Sequence, residues 1–292
     1  MAQRLSQLTV VSGKGGTGKT TVLGSFAALA ENAVLADCDV DAANLHLLLH
    51  PQVRQQEEFW GAKVAVRDAA RCDGVGECER GCRFGAITTQ AVDPLACEGC
   101  GLCVLACPND ALRLEQIVNG HTYMSDTRYG PLVHAKLLPA AESSGRLVTR
   151  VRQLAEDIAL RDGQRVALID GPPGIGCTAT AALADVDLAL IVTEPTLSGI
   201  HDMERVIGLI QHFGLPVAVI INKADINEAN AGRIGSFCRQ HDIPVLAELP
   251  FDDVVTHAIV AQVPLVEYDD GPVSQGIRAA WDRASGHLEV NA

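Results

Sequence analysis

Basic residues are scarce in this chain of 292 residues. Lysine and arginine together number 23 against 36 aspartate and glutamate residues, and the formal net charge is -13. Surfaces that bind nucleic acid or anionic membranes need clustered lysine and arginine to neutralise phosphate groups. The charge balance therefore argues against both kinds of partner, and against a protein that organises DNA or cycles on a membrane.

Targeting signals are also missing from the pattern. The chain enters an apolar, strand-like run at Leu8 to Val11 without a charged-then-apolar leader, and no apolar run has the length of a transmembrane helix. We therefore expect a cytoplasmic protein. Apolar residues make up 48% of the chain, enough for a sizeable core. The length favours about two domains.

Cysteine, by contrast, is abundant. The chain has ten cysteines, and seven of them lie between Cys72 and Cys107. Seven cysteines at metal-ligand spacing in a chain without a leader fit a reducing compartment better than a disulfide framework. The other three are Cys38, Cys177 and Cys238.

Apolar runs alternate with amphipathic segments on both sides of this cysteine-rich region. The predicted strands are 8–12, 33–37, 166–170, 188–193, 217–222 and 245–249, and the predicted helices include 145–161, 198–213 and 228–241. Such buried runs are typical of a doubly wound α/β fold with a mostly parallel sheet. The segment 59–114 breaks the pattern, which predicts a discontinuous α/β domain, 1–58 and 115–292, with a small inserted domain. Arg128, Tyr129 and His134 match no catalytic arrangement, so we expect surface or packing roles for them.

A glycine-rich motif follows the first predicted strand and opens a helix. The sequence G-K-G-G-T-G-K-T at 13–20 has the spacing and the context of a P-loop, whose backbone N–H groups cradle phosphates at a helix N-terminus. Lys19 is expected to reach the β- and γ-phosphates, and the Thr20 hydroxyl to bind Mg²⁺. The predicted nucleotide contacts are Gly13, Gly15, Gly16, Thr17, Gly18, Lys19, Thr20 and Thr21.

Acidic residues follow two other predicted strands. Asp39 lies just beyond the second strand, where a carboxylate beside a P-loop can orient a water or a magnesium-bound water. Asp170 ends the strand 166–170 in the manner of a Walker B aspartate and is expected to hold Mg²⁺ through water. For the acidic residues that follow the second strand, and mainly for Asp41, the alternative role is a helix N-cap.

The extra lysine of the loop, Lys14, resembles the signature lysine of the deviant Walker A ATPases, the group that contains MinD, ParA and the nitrogenase iron protein. The resemblance implies a nucleotide-dependent homodimer in which Lys14 reaches the partner's nucleotide and takes part in catalysis. It also implies that Asp39 belongs to switch I and positions the attacking water. The sequence G-P-P-G at 171–174 is similar to switch II, with the Gly174 N–H near the γ-phosphate.

Two readings of the base site follow from the sequence N-K-A-D, which runs from Asn222 to Asp225. It is similar to the motif by which GTPases read guanine. In the MinD-like family, however, an asparagine at this strand end reads adenine, aided by a loop that Pro250, Phe251 and Asp252 resemble. The other motifs are of the MinD type, which favours ATP over GTP.

The cysteine run itself resembles bacterial two-cluster ferredoxins. Four cysteines and Pro108 reproduce the spacing C-x2-C-x2-C-x3-C-P. In such ferredoxins the fourth cysteine of each run crosses to the other cluster. The resemblance therefore implies one 4Fe–4S cluster on Cys97, Cys100, Cys103 and Cys82, and a second cluster on Cys72, Cys78 and Cys107.

The second cluster has only three cysteines because Val75 stands where the fourth belongs. The readings left open are a 3Fe–4S cluster, a labile 4Fe–4S cluster completed by Asp73, water or an exogenous ligand, and an empty site. Zinc needs four ligands and does not account for seven cysteines. Cys177, in the switch II region, is either a small packed residue or an interface thiol, since the nitrogenase iron protein places a cluster ligand at the matching distance.

As a whole, the chain resembles MinD-superfamily ATPases with an inserted ferredoxin domain. The resemblance implies an ATP-hydrolysing iron–sulfur protein in which closure of a homodimer gates electron transfer to a redox partner. The alternative is an ATP-dependent carrier that delivers clusters or metal to a client protein. A spatial organiser like MinD or ParA is expected least, because of the acidic balance and the lack of a basic amphipathic helix at 285–292.

Overall fold

A computed structural model of the protein describes residues 4–139, 141 and 144–290. The strands in these ranges are β1 (Ser6–Ser12), β2 (Ala33–Asp37), β3 (Gln52–Phe59), β4 (Ala62–Arg67), β5 (Leu112–Ile117), β6 (Gly120–Thr127), β7 (Gly130–Leu137), β8 (Val166–Pro173), β9 (Leu188–Thr193), β10 (Val217–Ile221) and β11 (Val245–Glu248). The helices are α1 (Lys19–Leu29), α2 (Leu45–Leu49), α3 (Glu77–Gly81), α4 (Leu102–Ala106), α5 (Gly145–Asp162), α6 (Cys177–Leu183), α7 (Leu197–His212), α8 (Glu228–Gln240), α9 (Val254–Val260), α10 (Leu265–Tyr268) and α11 (Pro272–Val290).

Nine strands form one sheet in the order β11-β10-β9-β1-β8-β2-β7-β6-β3. The central strands pair in parallel, with β1 between β8 and β9, and β2 on the other side of β8. Their side chains are almost wholly buried because helices cover both faces of the sheet. The carboxyl ends of β1, β2, β8, β9 and β10 therefore meet along one edge, which is where α/β sheets bind ligands.

The long apolar runs are strands in the structure, as predicted, and the α/β class with a mostly parallel sheet is confirmed. Three further strands, β3, β6 and β7, extend the sheet beyond β2. β6 and β7 form a hairpin around Arg128 and Tyr129, and β7 pairs in parallel with β2. These strands carry exposed and half-buried positions, so they lack the continuous apolar runs that mark the central strands.

The chain divides into two compact units. In the described ranges the larger contains 4–56, 122–136 and 144–290, and the smaller contains 57–121 with 137–139 and 141. The core of the larger unit joins the sheet to α1 and α11, where Phe26 packs on Trp281 with ring centroids 5.1 Å apart. No helix of the described residues has the length and apolar character needed to span a membrane.

The smaller unit has its own minimal core. β4 and β5 form an antiparallel pair from Ala62↔Ile117 to Arg67↔Leu112. Ala65 of β4 and Leu112 of β5 are buried together with Ile87, and five of the seven cysteines of the run pack against these three residues. The predicted insertion, 59–114, lies within this unit.

Aromatic rings from β6, β7 and α2 form a stack. His134 stacks on Tyr123 at 5.0 Å between ring centroids and on His46 at 5.8 Å. Burial, and then the neighbouring charge of His46, lower the pKa of His134 to about 4. Burial and then Lys136 lower the pKa of His46. The fold thus holds His134 as a neutral ring, and its role is packing.

This stack predicts a loss of stability in mild acid. His134 takes up a proton in the unfolded chain near pH 6.5 but in the folded protein only near pH 4. The stability that the neutral His134 ring contributes is fully present above about pH 6.5. It is lost as the pH falls from there to about pH 4. Between pH 7 and pH 5 the free energy of unfolding should drop by about 2 kcal/mol from this group alone.

Urea denaturation at the two pH values measures the effect. His134→Phe keeps a stacked ring but has no titrating nitrogen. The drop of about 2 kcal/mol in the free energy of unfolding between pH 7 and pH 5 should therefore disappear in this variant. His257 is exposed, and His257→Gln should behave like the wild type. An unchanged pH dependence in His134→Phe would show that the stack does not hold the ring neutral.

Candidate functional site

The loop between β1 and α1 has the backbone geometry that the glycine motif predicts. Gly16 and Gly18 have φ values of 80° and 98°, in the left-handed region that favours glycine. A Cβ atom on Gly18 would also lie only 2.5 Å from Nδ2 of Asn222. Asn222 uses that nitrogen to donate a hydrogen bond to the Thr17 carbonyl, at 2.8 Å. Asn222, which directly follows β10, therefore supports the phosphate loop.

Three carboxylates crowd the carboxyl edge of the sheet beside this loop. Asp37 and Asp170 are paired in register on β2 and β8, and both side chains are buried. Burial, and then the charge of Asp170, raise the pKa of Asp37 well above its ordinary range. Burial also raises the pKa of Asp170 to about 6, against the opposing effect of Lys19. Asp39 lies 3.8 Å from Lys19, from Oδ2 to Nζ.

The donor set at Asp170 fits a magnesium ion. Thr20 donates its hydroxyl proton to Oδ2 of Asp170 at 2.8 Å, as expected for two groups that share a cation site. Oδ1 of Asp170 is buried and has no hydrogen-bond partner among the described residues. A buried carboxylate oxygen that has neither a hydrogen-bond donor nor a cation beside it destabilises the folded protein. Hydroxyl and carboxylate oxygens are the ligands that Mg²⁺ prefers.

Lys14 contacts residues that follow β9, whereas Lys19 contacts Asp39. Nζ of Lys14 lies 3.2 Å from Oε2 of Glu194 and donates to the Thr196 hydroxyl at 3.2 Å. Lys223 donates to the other oxygen of Glu194 at 2.6 Å. Burial alone acts to raise the pKa of Glu194, but the hydrogen bonds of Lys223 and Lys14 outweigh it and lower the pKa. Glu194 is thus an ionised carboxylate shared by two lysines.

A groove of about 190 Å³ continues from the loop toward the predicted base site. Of the predicted residues, it is lined by Gly16, Gly18, Thr21, Asn222, Pro250, Phe251 and Asp252. Apolar side chains of α9 and α11, including Ile259 and Ile277, complete it. Asp225 does not line the groove, because its carboxylate accepts the Phe251 N–H at 2.7 Å and so holds the 250–252 loop.

Two other predicted residues have different surroundings from those expected. The Gly174 N–H donates to the Ser12 carbonyl at 2.8 Å, so contact with a γ-phosphate requires this bond to break. Cys177 is exposed at the first residue of α6. Gly13 allows close packing, since a Cβ there would lie 2.3 Å from Cβ of Asp202, whereas a Cβ on Gly15 would meet nothing within 4 Å.

The seven cysteines of the smaller unit line two separate cavities. One, of about 260 Å³, is lined by Cys82, Cys97, Cys100 and Cys103. The other, of about 20 Å³, is lined by Cys72, Cys78 and Cys107. Within the described residues no group of three or more His, Cys, Asp or Glu side chains is placed to hold a metal ion. The predicted iron–sulfur clusters therefore stay predictions.

Sequence reasoning missed four residues of the nucleotide site: Asp37, Glu194, Thr196 and Lys223. Asp37 ends β2 as Asp170 lies near the end of β8, so its position at a strand terminus was a usable signal. Glu194 follows β9 directly, at the same edge of the sheet. Lys223 belongs to the N-K-A-D motif, but its contact with Glu194 depends on strand order, which local sequence does not reveal.

Comparison with known proteins places this site in a family. Residues 8–265 match the model of the CobQ/CobB/MinD/ParA nucleotide binding domain. The chain is 30% identical over 284 residues to an uncharacterized protein of Methanocaldococcus jannaschii, covering 96% of each chain. It is 28% identical over 222 residues to the septum site-determining protein MinD of Synechocystis, covering 74% of this chain and 64% of that protein.

Solved structures share the fold. MinD of Pyrococcus horikoshii in complex with Mg-ADP superposes with a TM-score of 0.61 at 19% identity, covering 99% of both chains. An ATP complex of a McdA variant from Cyanothece superposes with the same TM-score at 13% identity, covering 98% of this chain and 97% of the other.

These matches correct the predicted function. ATP-gated electron transfer, with cluster delivery as its alternative, is wrong, because the named relatives are septum site-determining MinD proteins, in the class that the sequence placed last. The error has a physical reason. Net charge is a sum over the whole chain, whereas membership in this class depends on the phosphate loop and the sheet around it. The chain belongs to the CobQ/CobB/MinD/ParA family of P-loop nucleotide-binding ATPases.

Proposed function

We propose that this protein is an ATP-hydrolysing switch of the MinD type, which forms a homodimer when it binds Mg-ATP and so controls the position of a partner. The relatives named septum site-determining MinD support this class. The observation that carries the proposal is the placement of Lys14, whose side chain is 31% exposed and bound to Glu194 and Thr196. A lysine in that position is available to a second subunit.

The remaining residues divide the work of nucleotide binding. Lys19 and the backbone of the glycine loop hold the phosphates, while Thr20 and Asp170 are the groups that would hold Mg²⁺, which supplies charge neutralisation at the phosphates. Asn222 and the 250–252 loop form the groove for adenine, and the engaged carboxylate of Asp225 supports ATP over GTP.

Asp39 is the residue best placed to orient the attacking water. It lies just beyond β2 at 3.8 Å from Lys19, on the phosphate side of the sheet edge. Burial, the largest influence, raises its pKa against the opposing charge of Lys19. A carboxylate with a raised pKa is a better proton acceptor for a water at neutral pH.

We also infer that the smaller unit is an inserted domain that binds iron–sulfur clusters. Four cysteines around one cavity supply the four thiolates that a 4Fe–4S cluster requires. The Ala65 N–H donates to Sγ of Cys97 at 3.4 Å, a contact that stabilises a thiolate ligand. The role of these clusters in the switch is a structural one in this proposal, since they complete a unit whose apolar core is small.

Mixing of two inactive variants tests the dimeric site. Lys14→Ala should lower ATP hydrolysis on the order of 10²–10³-fold, as loss of one transition-state donor does. Asp39→Ala should also be inactive. In a mixed dimer, the Lys14→Ala subunit keeps Asp39 and receives Lys14 from its partner, so an equimolar mixture should recover about a quarter of the wild-type rate.

The two possible arrangements give different results. If Lys14 acts within its own subunit, no mixed dimer contains a complete site and the mixture stays inactive. Arg161→Ala, an exposed change on α5, is the control and should keep full activity alone. Gel filtration with and without Mg-ATP should show the nucleotide-dependent dimer, and a monomer under both conditions would contradict the proposal.

Asp170→Asn should have opposite effects on stability and on binding. It removes the repulsion with Asp37, so the melting temperature of the protein without nucleotide should rise by about 2–4 °C. It also removes the carboxylate that would hold Mg²⁺, so the further rise that Mg-ATP induces should disappear.

Asp187 supplies the matched control for this measurement. Its carboxylate is paired with Arg4 and accepts the Gln7 N–H. Asp187→Asn should therefore lower the melting temperature but keep the shift that Mg-ATP induces. Equal nucleotide shifts in Asp170→Asn and the wild type would exclude Asp170 from the cation site.

A further inference from the structure

Glu194 lies in a turn whose backbone is fixed by the start of α7. The Thr196 N–H donates to the Glu194 carbonyl at 2.8 Å, and the Thr196 hydroxyl accepts the Gly199 N–H at 3.0 Å as the N-cap of α7. A Cβ on Gly199 would lie only 2.4 Å from the Glu194 carbonyl oxygen, so the turn packs tightly on the helix. The Glu194 side chain therefore extends from a fixed point at the carboxyl edge of the sheet.

The two lysines that share Glu194 differ in how they are held. Lys223 has the shorter contact, 2.6 Å against 3.2 Å for Lys14. The backbone of Lys223 is also fixed, because its N–H donates to Oδ1 of Asn222 at 3.0 Å. Lys14 lies in the glycine loop, where a Cβ on the next residue, Gly15, would meet nothing within 4 Å. Lys14 is therefore the partner with room to leave.

A single carboxylate cannot neutralise both ammonium groups. The Glu194 side chain is only 14% exposed, so water screens this cluster less than it screens ion pairs on an open surface. The two ammonium groups repel each other, and each weakens the attraction between the carboxylate and the other lysine. Loss of the Lys223 charge should thus tighten the contact between Lys14 and Glu194, and loss of the Glu194 charge should release Lys14.

We propose that Glu194 is a positioning residue that holds Lys14 in the free subunit, and that Lys223 limits the strength of this hold. The inference rests on the proposed homodimer, in which Lys14 leaves Glu194 to reach the partner's nucleotide. The hold opposes dimerisation, because each dimer that forms has to break the contact between Lys14 and Glu194 in both subunits. Glu194 and Lys223 therefore set, through Lys14, the protein concentration at which the Mg-ATP dimer forms.

Substitutions at the two residues should change dimerisation in opposite directions. Glu194→Gln keeps the shape of the side chain but removes its charge, so the dissociation constant of the dimer should fall on the order of fivefold. Lys223→Met keeps an apolar stem but removes the ammonium group, so the dissociation constant should rise by a similar factor. Sedimentation velocity of the full chain with Mg²⁺ and a non-hydrolysable ATP analogue measures both. The analogue is kept saturating because Lys223 also lines the groove for the base.

ATP hydrolysis supplies a second readout, which damage to the turn would not raise. At a protein concentration below the wild-type dissociation constant, Glu194→Gln should hydrolyse Mg-ATP about threefold faster per chain, because more of its chains are dimeric. Glu204→Gln is the matched control, since it removes the same charge from an exposed position on α7. This control should match the wild type in both measurements.

The outcomes separate this inference from the function on which it rests. If the dissociation constant shifts in the same direction in Glu194→Gln and Lys223→Met, or does not shift in one of them, Glu194 does not position Lys14 in the free subunit. Either result overturns the inference and leaves the homodimer intact. A wild-type chain that stays monomeric with the saturating analogue at every protein concentration would refute the homodimer itself.

Discussion

The nucleotide site is built around carboxylates that repel one another. Asp37 and Asp170 lie in register on adjacent strands and are buried, and Asp39 lies just beyond them. Burying like charges together destabilises a protein unless a cation balances them. Lys19 supplies part of that balance from the start of α1. The glycine loop must therefore place α1 accurately, and the close contact of Gly18 with Asn222 is one means by which it does so.

A site of this kind is incomplete without its ligand. The buried oxygen of Asp170 and the raised pKa values of both aspartates show that the fold accepts unfavourable charge at one edge of the sheet. A magnesium-bound nucleotide would bring the missing positive charge to that edge. Binding energy would then be released where the switch residues lie, which links occupancy of the site to its conformation.

Local signals in the sequence were sufficient for the central strands and the phosphate loop. Continuous apolar runs identify β8 and β9, and glycine spacing identifies the loop. The strand β3 was missed because its mostly exposed positions give no such run. Glu194 was missed for a different reason. Its two lysine partners are 180 and 29 residues away in sequence, and only the strand order brings all three together.

Glu194 pairs with both Lys14 and Lys223, and this sharing determines how firmly the Lys14 side chain is held. If Lys14 leaves, Glu194 keeps its 2.6 Å contact with Lys223 and is not left as an isolated buried charge. The ion pair that Lys14 would give up is partly exposed, at 31% for the lysine side chain and 14% for Glu194, so solvent can replace part of that contact. In the proposed dimer, Glu194 would hold Lys14 while no partner is bound, and it would keep its contact with Lys223 when Lys14 moves to the second subunit.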